Sequence, residues 1–282
     1  MIREFKAEDM DNIIKILNKG FIFDESDIKE ISQDENKTLL VYEDSEIKGF
    51  VYLKLMNIEE KAYRVMVYVD PDYRRKGIGT ALYNSISTKL EEVKPNQLSS
   101  YFRVDKEDPN EFYRKLGYKK WWGFHEAYYK GSYQPEVDLT FVPYEDKHFE
   151  AYSKLIQDCF YELRKENDIK PYIVPFNEKD KEYLSNNKDF IYVSLKEGEL
   201  ISAVFVKDGY LDSITVSPSH QGKGLGKKAT QFAINKALEQ NPNSVHLSVL
   251  VWNKKAVKLY EDLGFEIKQT VHFYRQLFDI EF

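Results

Sequence analysis

The feature that most constrains the fold of this chain is an internal repeat. Val69, Pro71, Gly77, Gly79, Tyr113 and Gly117 each have an identical residue further along, at Val216, Pro218, Gly224, Gly226, Tyr260 and Gly264, and the offset is 147 every time. A constant offset across two separate segments implies two copies of one folding unit, because glycines recurring by chance would scatter. A chain of 282 residues accommodates two domains of ordinary size. The copies are expected at 1–134 and 137–282, joined through Gly131-Ser132-Tyr133-Gln134-Pro135.

Both copies read as the same succession of elements. In the first, Ile13, Ile14, Leu17 and Phe21 lie at helical spacing within Met10 to Phe21. Strands are expected over 38–42, 50–56 and 63–69, then a helical stripe of Leu82, Ile86, Leu90 and Val93 that Pro95 stops. After a strand at 98–104, Asp108-Pro109 opens a short helix, its carboxylate accepting from free N–H groups, and Gly117 closes it. Aromatic-rich strand at 118–129 completes the copy. The second copy repeats the order: a strand near Leu139, a helix over 149–160, strands over 190–195, 200–206, 210–216, 245–251 and 265–277. Glu8 to Val41 spans 33 residues and Glu145 to Tyr192 spans 47, so the second copy has gained about 14 ahead of its second strand.

Each copy carries a glycine turn between a strand and a helix. In the second it is His220-Gln221-Gly222-Lys223-Gly224-Leu225-Gly226-Lys227; in the first it runs from Asp70 through Arg74-Arg75-Lys76-Gly77-Ile78-Gly79-Thr80. Backbone N–H groups left free at a helix start can grip a phosphate, and glycine removes the side chain that would hold the phosphate away. Charge-assisted hydrogen bonds contribute about 1.5–3 kcal/mol each and a helix dipole at most ~2 kcal/mol, so several N–H donors outweigh the dipole. Neither turn has the Gly-Lys-Ser/Thr ending of a P-loop, and Lys227 stands where a dinucleotide fingerprint needs its third glycine.

Val216-x-Pro218 followed by Gln221-x-x-Gly224-x-Gly226, and then Asn253-x-x-Ala256-x-x-Leu259-Tyr260-x-x-x-Gly264-Phe265, resembles the acetyl-CoA-binding core of the GNAT acetyltransferases. Val69-x-Pro71, Arg74-x-x-Gly77-x-Gly79 and Phe112-Tyr113-x-x-x-Gly117-Tyr118 are similar to the same core in weaker form. The resemblance covers nearly the whole chain. It implies an α/β (α+β) fold of two tandem GNAT domains, each a mixed, mostly antiparallel sheet flanked by helices, with a splayed cleft for the cofactor. It further implies acetyl-CoA as acyl donor, its pyrophosphate on Gln221, Gly222, Lys223, Gly224, Gly226 and Lys227, and its pantetheine arm on the backbone of Ile214 and Val216 and on Asn253. In the first copy Val69, Arg74, Lys76, Gly77, Gly79 and Thr80 take the matching places.

Direct attack of an amine on the thioester needs two proton movements. An alkyl amine has a reference pKa near ~10.4 and is almost wholly protonated at neutral pH, so a base is required. Asp212 precedes the turn by a few residues, and strict alternation puts it on the face of Ile214 and Val216. It reads as base or amine anchor, or as an exposed strand carboxylate. The departing thiolate (~8.5) can take a proton from a tyrosine (~10) at a cost of ~2 kcal/mol, and the resemblance assigns that acid role to Tyr260; packing on the sheet is the other reading. Asn253 also suits a helix cap. In the first copy Asp212 aligns with Val65 and Asn253 with Lys106, leaving Tyr113. Catalysis is therefore expected in the second copy, with an amine of a small molecule or peptide as acceptor. The alternative is a noncatalytic acyl-CoA-binding module.

The remaining signals bound the function. A net charge of −6 argues against general nucleic-acid binding. No run approaches the ~18 apolar residues of a spanning helix, and the start lacks a signal-peptide core, so a cytoplasmic protein without membrane attachment is expected. The single cysteine, Cys159, excludes an internal disulfide and suggests a packing role. His125, His148, His246 and His272 show no metal-ligand spacing with carboxylates, and His220 reads as a solvated loop residue. Trp121-Trp122 reads as core or as an acceptor wall, and the inserted Pro171-Tyr172-Ile173-Val174-Pro175-Phe176 as acceptor recognition or a surface loop. Oligomeric state is not specified.

Overall fold

A computed structural model describes residues 1–19, 31, 38–105 and 108–278. Its backbone divides into two compact units. The first comprises Met1–Trp122 and Val271–Phe282, the second Gly123–Thr270.

In the first unit, strands β1 (Ile2–Glu4), β2 (Thr38–Asp44), β3 (Glu46–Asn57) and β4 (Ala62–Val69) pair antiparallel in sequence order. β5 (Gln97–Arg103) lies parallel to β4, but only Ala62–Arg64 pair with Gln97–Ser99; beyond Arg64 the strands part. Helix α1 (Met10–Asn18) buries Ile13, Ile16 and Leu17 on one sheet face, against Phe50, Tyr52, Met66 and Tyr68. Helix α2 (Ile78–Asn84) buries Ile78 and Leu82 on the other, with Val51, Leu53, Val65 and Leu98. The stripe from Leu82 to Val93 is two helices, not one: α3 (Ser87–Val93) restarts after a turn at Ser85 and Ile86, with Ile86 plugged into the core. Helix α4 (Asn110–Lys115) begins where Asp108 accepts from the Asn110 N–H at 2.9 Å and stops before Gly117, at φ 88°. Phe21 and Lys106 lie outside the described residues.

The second unit repeats the plan with its own β8 (Ile191–Lys196), β9 (Glu199–Lys207), β10 (Tyr210–Val216) and β11 (His246–Leu250), edged by β7 (Val142–Pro143). The strand expected near Leu139 is thus β7. Helix α5 (Phe149–Glu166) runs past the expected end at Phe160, and the inserted segment supplies α6 (Glu178–Asn186), capped by Asn177. Helix α7 (Leu225–Gln240) buries Ala229, Ala233, Ile234 and Ala237 on the sheet, and α8 (Lys254–Asp262) follows β11. β10 and β11 pair in parallel only at Tyr210–Leu211 with His246–Leu247, then diverge.

The units do not coincide with the contiguous stretches 1–134 and 137–282. The last strand of the first copy, β6 (Lys119–Tyr129), pairs its Phe124–Tyr128 with β11 of the second unit, while β12 (Phe265–Leu277) pairs its Val271–Leu277 with β5 of the first. Repeated strands carry the same alternation and hydrogen-bonding edge, so each can fill the other's slot, the logic of domain swapping. The expected linker follows β6 into the second unit, where Gln134 exchanges hydrogen bonds with Asn235 of α7 at 2.7 and 3.0 Å.

Candidate functional site

The two turns superimpose in local detail. Gly77 and Gly224 precede their helices in the left-handed region, at φ 80° and 79°. Arg74 Nε donates to the Val69 carbonyl at 2.9 Å, and Gln221 Nε2 donates to the Val216 carbonyl at 3.0 Å, so the first side chain of each motif ties the turn to the strand before it. A Cβ on Gly79 would meet Phe112 at 3.4 Å and one on Gly226 would meet Leu259 at 3.7 Å, so these glycines seat the downstream helix. A Cβ on Gly77, Gly222 or Gly224 would meet nothing within 4 Å, which leaves the hollow of each turn open.

The charged and polar neighbours are less uniform than expected. Lys223 Nζ donates to the Ser219 carbonyl at 3.0 Å, Lys76 sits over the Tyr73 ring, and Lys227 and Thr80 are exposed. Lys228 pairs with Asp138 at 2.7 Å, while His220 Nδ1 is held by Ser217 and Ser219 hydroxyls at 2.9 and 3.0 Å. The Val216 carbonyl also receives Cys159 Sγ at 3.2 Å, so it is not a free acceptor for a pantetheine arm. Burial pushes the Cys159 thiol up to about 11.

The expected face of Asp212 is corrected by a bulge. Asp212 pairs with Phe205 but Thr215 pairs with Ala203, so β10 carries one residue more than β9 between them; Ser213, at φ 49°, absorbs it. An extra residue reverses the alternation. Leu211 and Ile214 therefore pack together in the core beneath α7, whereas Asp212 lies on the opposite face, exposed, its Oδ1 accepting from the Ser213 N–H at 2.6 Å. Strand β4 pairs with β3 without a shift from Gly49–Val69 to Leu55–Tyr63. Counting the bulge, Asp212 matches Met66 rather than Val65.

The two motif tyrosines are held differently. Tyr113 is buried, and its hydroxyl accepts from the Val67 N–H of β4 at 3.3 Å. Tyr260 is half-buried, and its hydroxyl has no hydrogen-bond partner among the described residues. Burial, then the charge of Asp212 and the Tyr210 phenol, push the Tyr260 phenol well above the ordinary tyrosine value. Tyr152 on α5 is raised in the same way, by burial and then Asp212. The charge of Asp212 thus acts on three tyrosines, Tyr260, Tyr210 and Tyr152. Asn253 caps α8, accepting from the Ala256 N–H at 3.2 Å, the capping role of its two readings.

Several lining residues had no signal in the sequence. Tyr210 shares the face of Asp212 through the alternation that precedes the bulge, but Tyr152 comes from a distant helix. In the first unit a cavity of about 510 Å³ opens beside the turn, bounded by Arg74, Gly77, Tyr101, Arg103, Phe112 and Tyr113; Tyr101, Arg103 and Phe112 were not among the expected site residues. Pro171–Phe176 splits: Phe176 packs edge-on against Phe149, while Ile173 and Val174 are exposed. Trp122 stacks on Phe273 with ring centres 4.0 Å apart, within the first unit. Among the described residues no helix is long and apolar enough to cross a membrane, and no group of three or more His, Cys, Asp or Glu side chains could hold a metal ion.

Comparison with known proteins agrees with this architecture. Residues 149–265 match the Acetyltransferase (GNAT) family, and residues 34–120 match an Acetyltransferase (GNAT) domain. The thialysine N-epsilon-acetyltransferase of Sus scrofa is 44% identical over 55 residues, 20% of this chain and 32% of that protein. The spermidine N(1)-acetyltransferase of Vibrio cholerae is 38% identical over 72 residues, 24% of this chain and 39% of that protein. The chain thus spans about a third of the length of each of these two relatives. Among solved structures, a GCN5-related N-acetyltransferase from Sphaerobacter thermophilus aligns over 100% of this chain and 97% of its own, with a TM-score of 0.71 and 15% identity. A tandem GNAT protein from the clavulanic acid biosynthesis pathway aligns over 98% of both chains, with a TM-score of 0.59 and 15% identity.

Proposed function

Because this chain belongs to the GNAT acetyltransferase superfamily, we propose that its second unit moves an acetyl group from acetyl-CoA to a primary amine by direct attack. The observation that carries the proposal is the contrast between the two tyrosines. Tyr260 offers an unengaged hydroxyl that feels the charge of Asp212 on a bulged strand, whereas Tyr113 is tied to an unbulged one.

The residues present fit the donor. The hollow left by Gly222 and Gly224 admits a pyrophosphate to the N–H groups at the start of α7, and the parting of β10 from β11 leaves strand backbone unpaired along a narrow arm. Bound acetyl-CoA supplies the acyl group already activated as a thioester. Asp212 takes the proton from the incoming ammonium, directly or through water, and holds the amine by charge. Tyr260 gives its proton to the departing sulfur; its raised pKa keeps the phenol protonated at neutral pH and makes the transfer cost more than the ~2 kcal/mol of an ordinary tyrosine. Because Asp212 is exposed on the face opposite Ile214, the amine arrives from the α5 side of the sheet.

The test is thiol release from acetyl-CoA with a panel of small and peptide amines. Release that depends on the amine and is lost in Asp212→Asn supports the reading. Release that survives Asp212→Asn but vanishes in Tyr113→Phe would transfer catalysis to the first unit. A second reading, in which the first unit holds acyl-CoA without turnover, is favoured by the cavity beside Gly77; equilibrium binding with two sites per chain would support it.

A further inference from the structure

The acceptor side of the second unit contains a row of polar side chains that the first unit lacks. On β11 Ser248 follows the last residue paired with β10, as Asp212 follows the last paired residue of β10; Ser248 in turn pairs with Glu126 of β6. Glu126 accepts a hydrogen bond from Gln269 Nε2 of β12. The row across the sheet is thus Asp212, Ser248, Glu126, Gln269. The corresponding positions of the first unit are Met66, Tyr101, Phe273 and Trp122, where Tyr101 and Trp122 stack on Phe273 at 5.3 and 4.0 Å. One copy lines this row with a methionine and stacked aromatic rings, and the other lines it with two carboxylates.

Among the described residues no Lys or Arg pairs with Asp212 or Glu126. Gln269 is 6% exposed, and while its amide donates to Glu126 its Oε1 is buried without a partner, so the row still lacks a hydrogen-bond donor. Tyr210 shares the face of Asp212, and its phenol is raised by burial and then by the charges of Asp212 and Glu126. Glu126 reaches this unit only because β6, the last strand of the first sequence copy, pairs here.

We propose that Glu126 is a specificity-determining residue that binds a second ammonium group of the acceptor, so that the substrate is a diamine or polyamine with its reacting amine at Asp212. The inference rests on the proposed acetyl transfer for the reacting end alone. Two strand spacings, roughly 10 Å, separate β10 from β6 where β10 and β11 last pair, and the strands part from there, which suits ammonium groups four or more carbons apart.

The test uses the full chain and two probes, 1,4-diaminobutane and 1-aminobutane, by calorimetric titration alongside thiol release. The unaltered protein is expected to bind the diamine roughly tenfold or more tightly than the monoamine, and Glu126→Gln to erase the difference while monoamine binding stays. Glu126→Asp, which keeps the charge, is expected to retain part of the preference. No preference in the unaltered protein, or an unchanged preference in Glu126→Gln, overturns the inference even if acetyl transfer proceeds. Loss of both probes in Glu126→Gln with a lower melting temperature would mark a structural role and overturn it too. A preference that behaves as expected without thiol release upholds this inference and sinks the proposed transfer instead.

Discussion

Tyr113 and Val67 are joined across the gap between α4 and β4: the tyrosine hydroxyl accepts from the strand N–H at 3.3 Å, on a strand that has no bulge. Tyr260, its counterpart, has no such tie. The same residue of one motif is a structural brace in one unit and carries an unengaged hydroxyl, the proposed acid, in the other. Tyr260→Phe is therefore expected to lower kcat by about 10²-fold with little change in melting temperature. Tyr113→Phe is expected to leave kcat unchanged and to cost about 1 kcal/mol of stability. Steady-state kinetics and thermal melts on both variants separate the roles.

Acid should loosen the first unit through Asp9. Its carboxylate is buried and held below the ordinary range, chiefly by the hydrogen bonds from Arg3 at 2.7 and 2.9 Å. A carboxyl whose folded-state pKa is depressed stabilises the fold above its unfolded value, ~3.9, and that contribution is lost as pH falls through the folded value. Asp9→Asn is expected to melt several degrees lower at pH 7, and the gap to the unaltered protein should narrow below about pH 4. A gap that is constant with pH would mean the ion pair contributes nothing through ionisation.

Arg75 and Gly222 hold matching places in the two turns, both left-handed, at φ 60° and 75°. Arg75 bears strain that Gly222 does not. Gly222→Ala is expected to cost about 1 kcal/mol. Arg75→Gly should be nearly neutral, because relief of strain offsets the greater freedom of the unfolded chain. Denaturant midpoints for the two variants give the comparison.

The exchanged strands make the first sequence copy incomplete. A chain of residues 1–134 lacks Val271–Leu277, so the β5 edge from Gln97 to Arg103 goes unpaired unless β6 of the same or another chain takes that slot. It is expected to aggregate or self-associate. Residues 1–122 joined through a flexible linker to 271–278 should be monomeric and melt cooperatively. Light scattering and thermal melts of the two chains decide; a stable monomer of 1–134 would show that the exchange is dispensable.

Much of this was legible because it is local. The left-handed glycines at 77, 117, 224 and 264, the Asn253 cap and the helical stripes depend on neighbours a few residues away, and a motif of such residues recurs intact at a fixed offset. The side on which Asp212 stands was not legible, since one extra residue at Ser213 reverses it and the need for that residue lies in pairing with β9. Nor could Glu126 be linked to Asp212, which follows it by 86 positions in the other sequence copy.

The sequence by itself determined that two related units exist, where their turns lie, and that a carboxylate upstream and a tyrosine downstream accompany only the second turn together. Only the tertiary structure decided which copy's strand completes which sheet, and hence which side chains meet at the site. Periodicity within a strand states which residues share a face, but two repeats offer strands with nearly the same edge. The choice between them is made by long-range pairing, which no local pattern records.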